Sequence, residues 1–278
     1  MSGREKSERP GRGGPRRRGR FWGSPNRLPT LVAVVTVLVL WAAVGGAILS
    51  GGGGGEPSDP RPNTAVIVDQ LSLTAPNPGF VKSATDTLEE AGYSVDYFPG
   101  EEVTVDFYRD LQTAGYKLII FRTHSSRLVG EWRGNLYAQT AFFTSEPYDR
   151  TKYIEEQEEG RLAQVAADED SPVYFGVGAE FVRSSMRGNF EGSTVIMMGC
   201  NGILADTTAQ SFLDRGAVAA VTWDKEVSAV HTDAATDRVL ELLTLQGMTP
   251  EEAVAQASID VGPDPVFGAK LRVLTGGG

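Results

Sequence analysis

This 278-residue chain holds one cysteine, Cys200, and two histidines, His124 and His231. Cys200 closes the apolar run VIMMGC, and His124 closes the apolar run IIFRTH. A thiol becomes a nucleophile when a positioned imidazole takes its proton. Open parallel sheets bind ligands beyond the carboxyl ends of their strands. Neighbouring strands lie about 4.8 Å apart. If the strands ending at 124 and 200 are neighbours, His124 and Cys200 face each other across a small gap. The glycines of GCNG let a substrate approach the backbone. A helix starting near Asp206 aims its positive end at a thiolate or an oxyanion. The N–H of Cys200, with that of Ser125, offers an oxyanion hole. The bland alternative is that Cys200 is an inert core residue and His124 an ordinary loop residue.

Other chemistries find no support in the sequence. No His, Asp or Glu spacing suggests a zinc site. The glycines of FGVGAE do not open a βαβ unit, so they are no dinucleotide fingerprint. No GxSxG elbow is present for a serine nucleophile. Neither a metal nor a cofactor is expected.

The elements that must position His124 and Cys200 alternate along the chain. TAVIVDQLSL from Thr64, YSVDYF from Tyr93, KLIIFRTH (Lys117 to His124), STVIMMGC (Ser193 to Cys200) and AVAAVTW (Ala217 to Trp223) read as strands. Helices are expected over Asn77 to Gly92, from Thr104 to a stop at Gly115, from Asp206 to Gly216, and from His231 to Gly247. A last helix opens at Thr249, with Pro250 in its first turn and Glu252 closing a capping box. The pattern predicts an α/β domain with a mostly parallel sheet over residues 64–278. It is interrupted by an insertion at about 125–192. The insertion holds an expected hairpin (NLYAQTAFFTSE), a strand and turn (YFGVGAEF) and an acidic run from Glu146 to Asp170. An insertion of this length is usually functional or mobile.

The formal net charge of −10 divides unevenly. Residues 1–27 carry nine basic and two acidic side chains, a net +7, and the remainder carries −17. An acidic body argues against nucleic-acid binding. Residues 1–29 form a basic arm expected to be disordered. Residues 30–49 (TLVAVVTVLVLWAAVGGAIL) are long enough for about 30 Å of helix, which matches a bilayer core. The basic residues lie only before this span. The reading is therefore an uncleaved signal anchor with a cytoplasmic arm and an extracytoplasmic body. A cleaved signal peptide is the alternative. Residues 50–63 read as a Gly/Pro linker. A single cysteine excludes an intramolecular disulfide.

An apolar strand ending in His, followed about 75 residues later by an apolar strand ending in Cys, resembles the caspase-fold cysteine peptidases. That group includes caspases, clostripain, gingipain, legumain, separase and the CHAT domains. The stretch VIMMGCNGILADTTAQSFLDRGAVAAVTWDKEVSAVHTDAATDRVLELL carries most of the likeness, above all to CHAT and gingipain-like domains. The resemblance implies a three-layer fold with Cys200 as nucleophile, His124 as general acid/base, and the backbone of Ser125 and Cys200 as oxyanion donors. The family usually has Gly directly after the His; here it is Ser125.

In the resembled peptidases the loop after the next strand helps form the pocket for the residue before the scissile bond. That implies Trp223 as an apolar wall, Asp224 as partner for a basic side chain and His231 as a lining residue. Asp69 is a second candidate acid. His231 is equally readable as a cap neighbour and Asp69 as a turn residue. The expected function is a membrane-anchored, extracytoplasmic cysteine peptidase acting on a peptide or protein substrate. Self-cleavage at Arg150, Lys152 or Arg161 is conceivable. The competing readings are an inactive caspase-like domain that binds a partner at the cell surface, and a generic α/β ligand-binding domain.

Overall fold

The computed structural model describes residues 63–132, 135–202 and 207–276, with backbone alone within 129–137. The basic arm, the apolar span 30–49, the linker up to residue 62 and Asp206 lie outside the described residues. Among the described residues no helix is long and apolar enough to cross a membrane.

The first third of the body contains β1 (Thr64–Asp69), α1 (Pro78–Glu90), β2 (Ser94–Pro99), α2 (Val105–Asp110) and β3 (Leu118–Arg122). The middle third contains β4 (Ser125–Trp132), β5 (Asn135–Pro147), α3 (Ile154–Glu158), β6 (Leu162–Val165), β7 (Tyr174–Val177) and α4 (Ala179–Ser184). The last third contains β8 (Thr194–Met197), α5 (Thr207–Leu213), β9 (Ala219–Trp223), α6 (Ala229–Leu240), α7 (Pro250–Asp260) and β10 (Leu271–Thr275). Side chains cap the starts of several helices, the Thr249 box among them as expected. Asn77 accepts from the Phe80 N–H, Thr104 from the Phe107 N–H, and Thr249 with Glu252 completes a reciprocal capping box.

Six strands form one sheet in the order β10-β9-β8-β3-β1-β2. All are parallel except β10, which runs antiparallel to β9. The protein is thus α/β with a mixed, mostly parallel sheet. Successive side chains of a strand point to opposite faces, and the central strands are apolar on both. Val66, Val68, Ile119, Phe121, Val195 and Met197 face one core. Ala65, Ile67, Leu118, Ile120, Ile196 and Met198 face the other, beneath α1, α6 and α7. Burial on both faces explains why these strands read as continuous apolar runs.

The insertion is a second sheet, antiparallel, in the order β4-β5-β7-β6. NLYAQTAFFTSE is not a hairpin by itself. It lies within the single strand β5, and its partner is β4, which begins at Ser125. The polar start SSR concealed β4, because no apolar run announces it. YFGVGAEF is β7 followed by the start of α4. Stacked aromatics join the two sheets: Phe142 of β5 lies 4.9 Å from Phe121 of β3, which lies 5.8 Å from Phe212 of α5.

Under α1 and α6 the apolar core is broken by a buried ionic cluster. Arg122, the last residue of β3, donates through Nε and Nη2 to both oxygens of Asp233 at 2.8 and 2.9 Å. Its Nη1 donates to Asp69 at 2.7 Å, and Nη2 also donates to the Ala75 carbonyl. Asn77 donates to Asp233 and Tyr97 to Asp69. The Arg122 side chain is 1 % exposed. Replacing it with methionine leaves two carboxylates buried without their cation. Arg122→Met is expected to lower stability by about 3–5 kcal/mol, read from urea midpoints at pH 7; an unchanged midpoint contradicts the assignment.

One helical turn beyond Asp233 lies Asp237. Burial, with the Asp233 charge beside it, lifts its carboxyl from 3.8 to about 6, and its Oδ1 has no hydrogen-bond partner among the described residues. A carboxyl whose folded-state pKa is raised makes folding less favourable as pH climbs from about 4 through 6. Asp237→Asn is therefore expected to stabilise the protein at pH 8 by about 1 kcal/mol, after discounting for solvent screening. The gain disappears near pH 4, as thermal melts at the two pH values will show.

Candidate active site

β3 and β8 are hydrogen-bonded neighbours, and their register pairs Phe121 with Met197. His124 and Cys200 each lie three residues beyond that pair, at the carboxyl ends of the two strands. The ends approach closely. Ser125 Oγ donates to the Cys200 carbonyl at 2.6 Å. A Cβ on Gly199 would stand 2.4 Å from Ser125 Oγ and 2.7 Å from the Thr123 carbonyl oxygen. Gly199 is therefore what lets the segments meet. Gly202 serves a similar packing need, since a Cβ there would stand 1.6 Å from Thr222 Oγ1 of β9. Between them Asn201 takes a left-handed conformation, φ 59°, which makes the tight turn after the thiol. The two glycines thus serve the packing of strand ends rather than an opening for substrate.

Backbone parity sets the direction of the Ser125 N–H. The Phe121 carbonyl accepts from Met198 N–H, so Phe121 presents its peptide groups toward β8. The next residues alternate. His124 turns away: its carbonyl accepts from Phe143 N–H and its N–H donates to Gln70 Oε1 at 3.0 Å. The single bond from Phe143 N–H to the His124 carbonyl, in the β4–β5 register, makes Ser125–Phe142 a pair without ladder hydrogen bonds. The Ser125 N–H consequently points to the side on which Cys200 lies.

The His124 ring is held by Thr74, whose Oγ1 lies 2.9 Å from Nε2, and it packs against Phe143 with ring centroids 5.6 Å apart. When Nε2–H donates to Thr74, Nδ1 carries the free lone pair. Among the described residues Nδ1 has no partner. Thr74 and Gln70 escaped the sequence reading. The only signal for them was their place just beyond β1, which lies beside β3 at the same carboxyl edge.

Cys200 is half-buried, and its S–H donates to the Val227 carbonyl at 3.8 Å. No hydrogen bond joins Cys200 to His124. Burial pushes the thiol above its usual pKa, and the nearby negative charges of Glu226 and Asp264 add to the rise. Burial lowers the His124 imidazole. Both groups are therefore neutral at pH 7 and not a preformed ion pair. α5 starts at Thr207, and the residues between Gly202 and Thr207 lie outside the described set.

The four residues expected to line a substrate pocket are each engaged elsewhere. Asp69 is 1 % exposed and ion-paired to Arg122. Trp223 is 1 % exposed within the α6 core, with its indole N–H donating to Thr232. Asp224 accepts from the Lys270 N–H and from Arg272, tying β9 to β10. His231, in the first turn of α6, bonds the Gly262 carbonyl through Nε2. Asp69, Trp223, Asp224 and His231 are thus not brought together with the thiol as a cleft. The exposed carboxylate whose charge reaches Cys200 is Glu226, in the loop after β9. Among the described residues no three His, Cys, Asp or Glu side chains are grouped to hold a metal ion.

The sequence matches no protein-family model, and no curated protein is significantly similar to it. The functional argument therefore rests on this geometry and on the order of the motifs.

Two neutral groups dictate a characteristic labelling profile. The rate of iodoacetamide attachment to Cys200 is expected to stay low at pH 7 and to climb only beyond the ordinary thiol range, above about pH 9. A rate that is already maximal below pH 6 would reveal a thiolate–imidazolium pair instead.

Proposed function

We propose that this protein is a membrane-anchored, extracytoplasmic cysteine peptidase of caspase-like fold. The observation that carries the reading is the meeting of the β3 and β8 ends, with a cysteine on one, a histidine on the other, and Ser125 bonded to the Cys200 carbonyl. The mixed, mostly parallel sheet with helices over both faces is compatible with a three-layer α/β fold.

In this reading a bound substrate displaces the thiol from the Val227 carbonyl. His124 Nδ1 takes the Cys200 proton as Sγ attacks the scissile carbonyl carbon. The oxyanion is met by the N–H groups of Ser125 and Cys200. The C–N bond then breaks, the departing amine takes its proton from His124, and water hydrolyses the thioester. Thr74 holds Nε2, which leaves Nδ1 as the nitrogen that takes the thiol proton. Glu226 replaces Asp69 and Asp224 as the carboxylate for a basic side chain before the scissile bond, since both of those are neutralised internally. The anchor and the outward topology rest on the apolar span and the one-sided basic arm.

A second reading is favoured by one specific observation. The thiol is bonded to a carbonyl and pushed toward its neutral form. That suits an inactive caspase-like domain that binds a partner at the cell surface. Cleavage of fluorescent casein by the full-length protein separates the two readings. Cys200→Ala and His124→Ala are each expected to reduce hydrolysis by about a thousandfold or more. Casein left intact by the wild type favours the binding module.

A further inference from the structure

We infer that the free edge of β4 is the strand on which an extended peptide substrate docks. The inference rests on the peptidase reading above and specifies how that site holds its substrate. β4 is an outer strand of the second sheet, and among the described residues only β5 pairs with it. The Phe143 N–H bond to the His124 carbonyl, with the β4–β5 register, fixes which of its residues face β5. Backbone groups of 126, 128 and 130 point to β5, whereas those of Ser125, Arg127, Val129 and Glu131 point to the open side. Ser125 Oγ touches the Cys200 carbonyl on that side, so the first open position adjoins the segment that bears the thiol. The open row thus starts at the chemistry and runs away from it for eight residues, about 26 Å.

An unpaired strand edge is a template for another extended chain. A peptide hydrogen-bonded to Arg127 and Val129 and continuing toward Ser125 brings a main-chain carbonyl to the Ser125 N–H. That is the position an oxyanion must occupy. Main-chain pairing of this kind reads extension rather than side-chain identity. The substrates it selects are therefore unfolded or extended segments.

Proline at an outward-facing edge position removes an N–H without touching the ladder to β5. Arg127→Pro in the full-length chain is expected to lower fluorescent casein hydrolysis by about five- to tenfold, the loss of one main-chain hydrogen bond. Iodoacetamide labelling of Cys200 and the melting temperature report whether the variant remains folded. Exchange measurements on Cys200→Ala avoid the proline altogether. Adding unlabelled β-casein is expected to slow amide exchange at Ser125 and Arg127 while Ser126 is unaffected. Hydrolysis by folded Arg127→Pro at the wild-type rate, or unchanged exchange at 125 and 127, overturns the edge-docking inference and leaves the peptidase reading standing. Casein left intact by the wild type overturns both.

Discussion

One guanidinium organises the end of the sheet that matters. Arg122 is the last residue of β3, two positions before His124, and it makes four hydrogen bonds to carboxylates and a carbonyl from three other segments. Buried charge is tolerated only when it is paired and hydrogen-bonded. That requirement pins β1 through Asp69, the start of α1 through Ala75 and Asn77, and α6 through Asp233. The turn that follows Asp69 supplies Gln70 and Thr74, both of which hold His124. The imidazole is therefore oriented by a chain of contacts whose fixed point is an ion cluster at the carboxyl end of β3.

A neutral thiol beside a neutral imidazole constrains how such a centre works. A stored thiolate would need a cation or amide donors around sulfur, whereas apolar neighbours, a carbonyl acceptor and two negative charges surround this one. In the proposed peptidase, deprotonation is then coupled to the arrival of a substrate that changes those surroundings. The same arrangement protects a lone thiol from stray electrophiles, because the thiolate is the reactive form.

The strands buried on both faces were plain in the sequence, since β1, β3, β8 and β9 are uninterrupted apolar runs that end near chemically distinctive residues. The capping box at Thr249 was equally local. β4 and β10 were not legible, because each lies at a sheet edge and mixes polar with apolar residues. The expected pocket residues that prove engaged elsewhere share one cause. Asp69, Asp224 and His231 look available when read locally, but their partners are distant in sequence: Arg122 lies 53 residues from Asp69, Arg272 48 from Asp224 and Gly262 31 from His231. Trp223 looked like a cleft wall because it ends a strand, yet burial and the Thr232 hydroxyl absorb it completely. The sequence distinguishes a charged side chain from an apolar one more readily than a committed charge from a free one.

The sheet order also has a consequence in time. β3 is flanked by β1, already synthesised, and by β8, which begins 72 residues after β3 ends. The whole second sheet must emerge before β8 can close that flank. Until then His124 has no Cys200 across from it, and β3 is paired on its β1 side alone. Pairings between segments far apart in sequence are slow to form. The nascent chain therefore carries His124 without Cys200 while the residues between them are made, and the two strand ends can meet only when the final third folds.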